Sequence, residues 1–189
     1  SCWPGPHPAR EPAADATPVV ALDDDSGPSL AEAEATGESI EPADVHGSAT
    51  ALLAFTSGTT GRPKGVPLSH ANLLSSIRSA MLAWRWTADD VLVHALPLSH
   101  QHGLGGVHAT LLAGSSAAIH AGFDAARLAR AVAAERATVL FAVPAIYQRL
   151  VGTEGIGGSA FASLRLAISG SAPLSPTLFE HAAELLGRE

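Results

Sequence analysis

The sequence predicts an α/β fold, a mostly parallel sheet covered by helices on both faces. Three observations predict it. From Ala49 onward, apolar runs of strand length alternate with stretches of helical periodicity. The helical stretches are preceded by capping residues, Ser69, Asp124 and Ser175. The connections are too long for hairpins and of the right length for crossovers.

Each element follows from local chemistry. "ATALLAF" is an apolar run that reads as a buried strand. "HANLLSSIRSAMLAW" places Leu73, Leu74, Ile77, Ala80, Met81 and Trp84 on one helical face, with Ser69 able to accept a bond from a free first-turn N–H. "VLVHAL" is a strand. "GLGGVHATLLAG" is a helix whose glycines weaken its start, and "SSAAIH" is a short strand. "DAARLARAVAAE" is a helix capped by Asp124, and "ATVLFAV" a strand stopped before Pro144. "PAIYQRLV" is a short helix and "LRLAISG" a strand. "SPTLFEHAAELLG" is a helix with Ser175 as cap and Pro176 at its first position. Trp84 and Trp86 read as packing residues.

Composition narrows the function classes. The chain has 189 residues and a net charge of −7. That balance argues against a nucleic-acid partner, which needs clustered positive charge. No apolar run is long enough to span a membrane. The single cysteine, Cys2, allows no internal disulfide, so a reducing, cytoplasmic setting is expected. The excess of Ala and Arg reflects genome composition, and a bacterial source is expected. Residues 1–47 are rich in Pro, Ala, Asp and Glu and read as a linker-like segment with one short strand near residues 19–22. Residues 48–189 read as an α/β nucleotide-binding subdomain.

In a sheet of this kind ligands bind outside the carboxyl ends of the strands. Four such ends carry polar motifs: "TSGTTGRPKG" after "ALLAF", "PLSHQHG" after "VLVHAL", "VPAIY" after "TVLFA", and "SGSAPL" after "LRLAI". They are expected to converge on one crevice. In the first motif Gly58, Gly61 and Gly65 permit close backbone approach, and Ser57, Thr59 and Thr60 offer hydroxyls. Lys64, the only lysine in the chain, supplies a compact, rotatable positive charge. The loop reads as a polyphosphate cradle. It is not a Walker A loop, since Gly65 follows the lysine where Ser or Thr would bind magnesium.

"TSGTTGRPKG" resembles the phosphate-loop signature of the adenylate-forming superfamily of acyl-CoA synthetases, peptide-synthetase adenylation domains and luciferases. "LPLSHQHGL", "FAVPAIYQRL" and "ISGSAPLS" resemble further motifs of that superfamily, in the same order. The resemblance is closest to acyl-CoA synthetases of the malonyl-CoA and medium-chain types, where "HGL" and "SGSA" both occur, and it implies a subdomain of the large N-terminal domain of such an enzyme. It implies ATP-dependent activation of a carboxylic acid to an acyl-adenylate, then thioester formation with coenzyme A. Thr56, Ser57, Gly58, Thr59, Thr60, Gly61 and Lys64 match the ATP phosphate-binding positions, with Lys64 and His100 as the catalytic pair. Gly170, Ser171, Ala172 and Pro173 match the adenine and acyl wall. Ser99, His100, Gly103, Tyr147 and Arg149 fall where the acyl substrate is held, and Ser99 replaces the usual aromatic. ATP, coenzyme A and Mg2+ are the implied cofactors, with the magnesium ligands mostly outside this chain.

The chain stops before the family's ribose-binding aspartate and C-terminal catalytic lysine, so it is expected to be incomplete and inactive alone, its partner being the rest of the same enzyme. A homodimer is left open. So are two alternatives: a non-catalytic nucleotide-binding module and an adenylation domain serving a carrier protein.

One question stays open from the residues alone. Arg149 either grips a second carboxylate on the substrate or lies outward at a helix end. His94 and His120 read as satisfied core histidines, His108 as a packing residue, and the His100–His102 pair falls short of a metal site.

Overall fold

Strands of four residues with almost no polar surface can only be stable between two helical layers, and that is how VLVH, VLFA and LAIS are used. A computed structural model describes residues 43–56, 63–120 and 122–187. The expected strand at residues 19–22 lies outside the described residues. The elements in chain order are β1 (Thr50–Thr56), β2 (Lys64–Ser69), α1 (His70–Trp84), β3 (Val91–His94), α2 (Gln101–Ala113), β4 (Ser116–Ile119), α3 (Ala125–Ala134), β5 (Val139–Ala142), α4 (Pro144–Val151), a 3-10 turn (Gly158–Phe161), β6 (Leu166–Ser169) and α5 (Pro176–Leu186).

Four strands form a parallel sheet in the order β4-β3-β5-β6. The chain first moves outward from β3 to β4. It then crosses back over β3 to reach β5, and continues to β6. Right-handed crossovers in opposite directions must lie on opposite faces. Accordingly α1 packs on α2, while α3 packs on α4, and α4 on α5. The core between these layers holds Leu92, Val93, Val132, Val139, Leu140, Phe161 and Leu164, all essentially without exposure.

The expected caps are present. The Ser69 hydroxyl accepts from the Asn72 N–H at 3.1 Å, and the Asn72 side chain accepts from the Ser69 N–H at 3.1 Å, closing a capping box on α1. Asp124 accepts from Arg127 N–H at the start of α3, and Ser175 accepts from Leu178 N–H at the start of α5.

Two strand expectations are corrected. "ATALLAF" is not a buried strand of the main sheet. β1 pairs antiparallel with β2 in a separate two-stranded ribbon, leaving Leu53 and Phe55 more than half exposed. An apolar run of this length fits either setting, because hydrophobicity alone does not say which face will be covered. β2 itself was hidden by Gly65 and Pro67, which demote a run to an edge position. Consequently three of the four motif-bearing strand ends, those of β3, β5 and β6, lie at the carboxyl edge of the parallel sheet.

The opposite, amino edge of the sheet is held by one polar cluster. The carboxylate of Asp90, at 2% exposure, accepts from Arg165 Nε at 2.7 Å and from the Thr138 hydroxyl at 2.6 Å. It also accepts from the Thr87 N–H at 2.8 Å and from Arg165 Nη2 in an ion pair. Thr138 in turn accepts from the Val91 N–H. Arg165 also donates to the carbonyls of Trp84 and Arg85 at the end of α1. Burial raises the Asp90 carboxyl, but the Arg165, Thr138 and Thr87 donors outweigh that and bring its pKa down to about 2.

Removing the carboxylate strands the buried ends of these donors. Asp90→Ala is expected to lower stability by about 2–3 kcal/mol, the range for breaking such a pair discounted for the partly exposed guanidinium. Because the folded-state pKa is depressed, the contribution of Asp90 is present above the unfolded value near ~4 and is lost as pH falls toward about 2. Urea midpoints measured from pH 6 to pH 2 should therefore fall less steeply in Asp90→Asn than in the parent. Parallel curves would show that the cluster contributes nothing to acid sensitivity.

Candidate active site

The reversal of direction between β3 and β5 opens a crevice at their carboxyl ends, the place where an open α/β sheet can admit a ligand without breaking its ladder. After His94 the chain runs through Ala95–Pro97 to α2, and after Ala142 it turns into α4 at Pro144. Gly170 N–H donates to Ala142 C=O at 3.2 Å, carrying the β5–β6 ladder one residue beyond β6. Ser171 then takes a left-handed backbone with φ of 66°, a conformation uncommon for a residue with a side chain.

His102, in the first turn of α2, is the centre of this region. Its ring stacks on Phe141 at 4.3 Å with planes 15° apart. A Cβ at position 170 would lie 2.2 Å from its Cε1, so only glycine lets the post-β6 turn pass the imidazole. Two more glycines seat the helix. A Cβ at 103 would lie 2.2 Å from the Pro97 carbonyl oxygen, and one at 106 would meet the His94 ring at 3.2–3.3 Å.

Burial lowers the pKa of His102, opposed by the backbone of Ala142. Burial also lowers that of His94, opposed by the backbone of Gly103, with the neighbouring His102 adding to the shift. Both rings therefore stay neutral further into acid than a solvated histidine. Among the described residues, neither ring nitrogen of His94 makes a hydrogen bond of good geometry, the Gly103 backbone acting only as a weak contact, and Nε2 of His102 and of His120 and Nδ1 of His108 make none either. His94 is thus a core histidine as expected, but not a satisfied one.

A cavity of about 320 Å³ lies against this stack. α1 contributes Ser76, Ile77, Ala80 and Trp84; α2 contributes Gln101, His102, Gly105 and Ala109; Phe141 and Ser171 complete it. Trp84 meets Phe141 edge-on at 5.5 Å, so the wall is an aromatic cluster. Lys64 stands apart, at the first position of β2, opposite Thr56 across the ribbon and exposed.

With this geometry in place the comparisons are decisive. The sequence matches the family described as AMP-binding enzyme over residues 6–189. The chain belongs to the AMP-binding enzyme family. It is 37% identical over 128 residues to a feruloyl-CoA synthase of an Amycolatopsis species, covering 67% of this chain and 26% of that protein. It is 31% identical to the human mitochondrial malonate–CoA ligase ACSF3, covering 80% of this chain and 30% of the relative. Among solved structures it resembles ATP-bound MatB from Rhodopseudomonas palustris, with 39% identity and a TM-score of 0.77 over 85% of this chain and 32% of that one. A malonyl-CoA ligase with methylmalonyl-CoA and AMP bound matches at 35% identity and a TM-score of 0.74, over 80% of this chain and 34% of that one. The chain thus spans about a quarter to a third of the relatives it matches.

Against this AMP-binding family frame, the expected site residues divide. Thr56 and Lys64 face each other across the β1–β2 ribbon; Ser57, Gly58, Thr59, Thr60 and Gly61 lie outside the described residues. Gly170 and Ser171 meet His102 and the cavity, and Ala172 and Pro173 continue the same exposed turn. Ser99 and His100 are exposed just ahead of α2, and His100 occupies its N-cap position without a side-chain capping bond. Gly103 is buried against Pro97 and has a packing role. Tyr147 departs from the expectation: its ring is buried and its hydroxyl donates to the Ile168 carbonyl at 2.9 Å, with burial raising its pKa. Arg149 lies over the Phe123 ring, 5.8 Å from its centroid, beside Asp124 and Thr153 and not on the cavity of His102.

Sequence reasoning missed His102, Phe141 and Trp84 as a constellation. It weighed His102 only as a metal ligand. Among the described residues no three His, Cys, Asp or Glu side chains form a group able to hold a metal. No described helix is long and apolar enough to cross a membrane.

Gly170→Ala tests the stack directly. The added methyl must displace the imidazole or the turn, an overpacking that costs about 1–3 kcal/mol. The His102 ring resonances should shift with it in NMR spectra, and His102 resonances identical to the parent's would show that the close approach is not maintained in solution.

Proposed function

We propose that this chain forms the ATP-phosphate and acyl-binding part of an acid–CoA ligase that works through an acyl-adenylate. The observation that supports it best is the cavity against the His102–Phe141 stack, bounded by α1, α2, β5 and Ser171 after β6, in a chain that also carries the "TSGTTGRPKG" sequence. In the reaction a carboxylate oxygen attacks the α-phosphorus of ATP. A C–O–P linkage forms, the bond from the α-phosphorus to the bridging oxygen breaks, and pyrophosphate leaves with that electron pair. The thiolate of coenzyme A then attacks the acyl carbon, the thioester forms, and AMP departs.

Each step makes a demand that residues of this chain fit. Negative charge grows on the leaving pyrophosphate, and Lys64 with the hydroxyls and N–H groups of Thr56, Ser57, Gly58, Thr59, Thr60 and Gly61 would neutralise it. A flat adenine needs a wall without side chains, which Gly170 and Ala172 supply in the turn with Ser171 and Pro173. His100, exposed at the N-cap of α2, would meet the carboxylate or adenylate. Ser99 lies beside it. The acyl group would occupy the cavity of His102, which replaces Tyr147, Arg149 and Gly103 as its lining. Among the described residues no three His, Cys, Asp or Glu side chains cluster to hold a metal ion, and none of these steps is assigned to Mg2+.

Two outcomes check the assignment in the enzyme that carries this chain. Lys64→Ala should slow adenylate formation by about 2–4 kcal/mol of transition-state stabilisation, with a smaller effect on thiolation. Pyrophosphate exchange at the parent rate would remove Lys64 from the phosphate site. Arg149→Leu should leave kcat/KM for the preferred acid within about threefold, because the guanidinium rests on Phe123. A loss of a hundredfold or more would place Arg149 on the substrate after all.

A further inference from the structure

The three glycines of the α2 segment "HGLGGVH" are not equivalent. Glycine inside a helix costs about 1 kcal/mol relative to alanine, so each calls for a reason. Gly103 has one in the Pro97 carbonyl, and Gly106 has one in the His94 ring. Gly105 has none from packing. A Cβ built there meets no heavy atom within 4 Å, and the residue lines the cavity. Its missing side chain is open space within the cavity itself.

The rest of the lining says what that space suits. Two flat side chains, Trp84 and Phe141, and the imidazole of His102 stacked on Phe141 form one side. Ile77, Ala80 and Ala109 give apolar contact. The polar groups carry no fixed charge: Ser76, Gln101, Ser171 and the His102 ring, whose charged form burial disfavours. None of the described lining residues is Lys, Arg, Asp or Glu. A second carboxylate carried into this cavity would be desolvated without a cationic partner, a cost of several kcal/mol. Arg149, the cation nearest in sequence to the expected acyl motif, lies over Phe123 in a different hollow.

We propose that the acid activated at this site is a monocarboxylate whose side chain carries a single aromatic ring, seated in the space left open by Gly105 against Trp84, His102 and Phe141. The inference rests on the ligase reading above. It makes the cavity selective by shape and by its neutrality. A flat ring gains offset or edge contact with three flat partners, whereas a linear chain gains only apolar area. A small diacid gains neither.

The test has a binding arm and a kinetic arm. In the first, this chain is titrated with 3-phenylpropenoate, octanoate and malonate while tryptophan fluorescence is followed, since Trp84 lines the cavity. The aromatic acid should quench saturably and at least tenfold more tightly than the other two, and Gly105→Leu should weaken it at least tenfold. In the second, ATP–pyrophosphate exchange by the enzyme carrying this chain is compared across the same acids and propanoate. The aromatic acid should have the highest kcat/KM, and Gly105→Leu should lower the ratio of aromatic acid to propanoate at least tenfold. A preference for malonate or octanoate in either arm, or Gly105→Leu without effect on the aromatic acid, overturns the inference. Selective quenching without exchange by any acid would uphold the cavity's selectivity and overturn the ligase reading instead.

Discussion

The Asp90 carboxylate is the constraint on which the rest of the sheet's geometry depends. It joins the amino ends of β3, β5 and β6 to the end of α1, through Thr87, Thr138 and Arg165. Those contacts span up to 81 residues of sequence. A buried carboxylate is tolerated only when its lone pairs are filled, and here the donors come from separate elements. The cluster is therefore also a statement of register. If one strand slipped by a residue, its donor would leave the carboxylate and its side chains would change faces.

Fixing one edge of a parallel sheet leaves the other free to carry chemistry. The carboxyl edge shows the opposite economy. There, among the described residues, polar groups lack a hydrogen bond of good geometry: both nitrogens of His94, Nε2 of His102 and Nε2 of His120, and the Ser169 hydroxyl. Glycines replace side chains where backbones must pass close to rings. The amino edge is saturated with hydrogen bonds and the carboxyl edge is not, which is the division expected of a scaffold that keeps its binding groups unspent.

This division also explains what the sequence could disclose. The helices were legible because their evidence is local. Ser69, Asp124, Ser175 and Pro176 each act within one turn, and the periodicity of α1 and α4 is read in a single window. The "TSGTTGRPKG" motif stood out because its glycines, hydroxyls and lysine are contiguous. Asp90, Thr138 and Arg165 were not, since nothing within a few residues of any of them marks its partners. The ribbon of β1 and β2 was misassigned for the same reason: whether Leu53 and Phe55 are covered depends on strands elsewhere in the chain. His102 was visible only as half of an H-x-H pair. Its meaning comes from Phe141 and Gly170, which the fold delivers from two other strands.

The glycines of α2 show how far a residue's role can be recovered once the partners are known. Read along the chain they were one weak start to a helix. In the fold, Gly103 and Gly106 are demanded by atoms that already stand where a methyl would go, and removing those atoms from consideration leaves Gly105 unexplained by packing. Packing is the usual reason for glycine in a helix, since the backbone otherwise gains from any side chain that reduces its freedom in the unfolded state. When that reason is absent and the position faces a cavity walled by Trp84, His102 and Phe141, the space itself is what the sequence encodes. On the proposed reading, selectivity resides in an atom that is missing, and the neutral lining around it decides which acids can use the room.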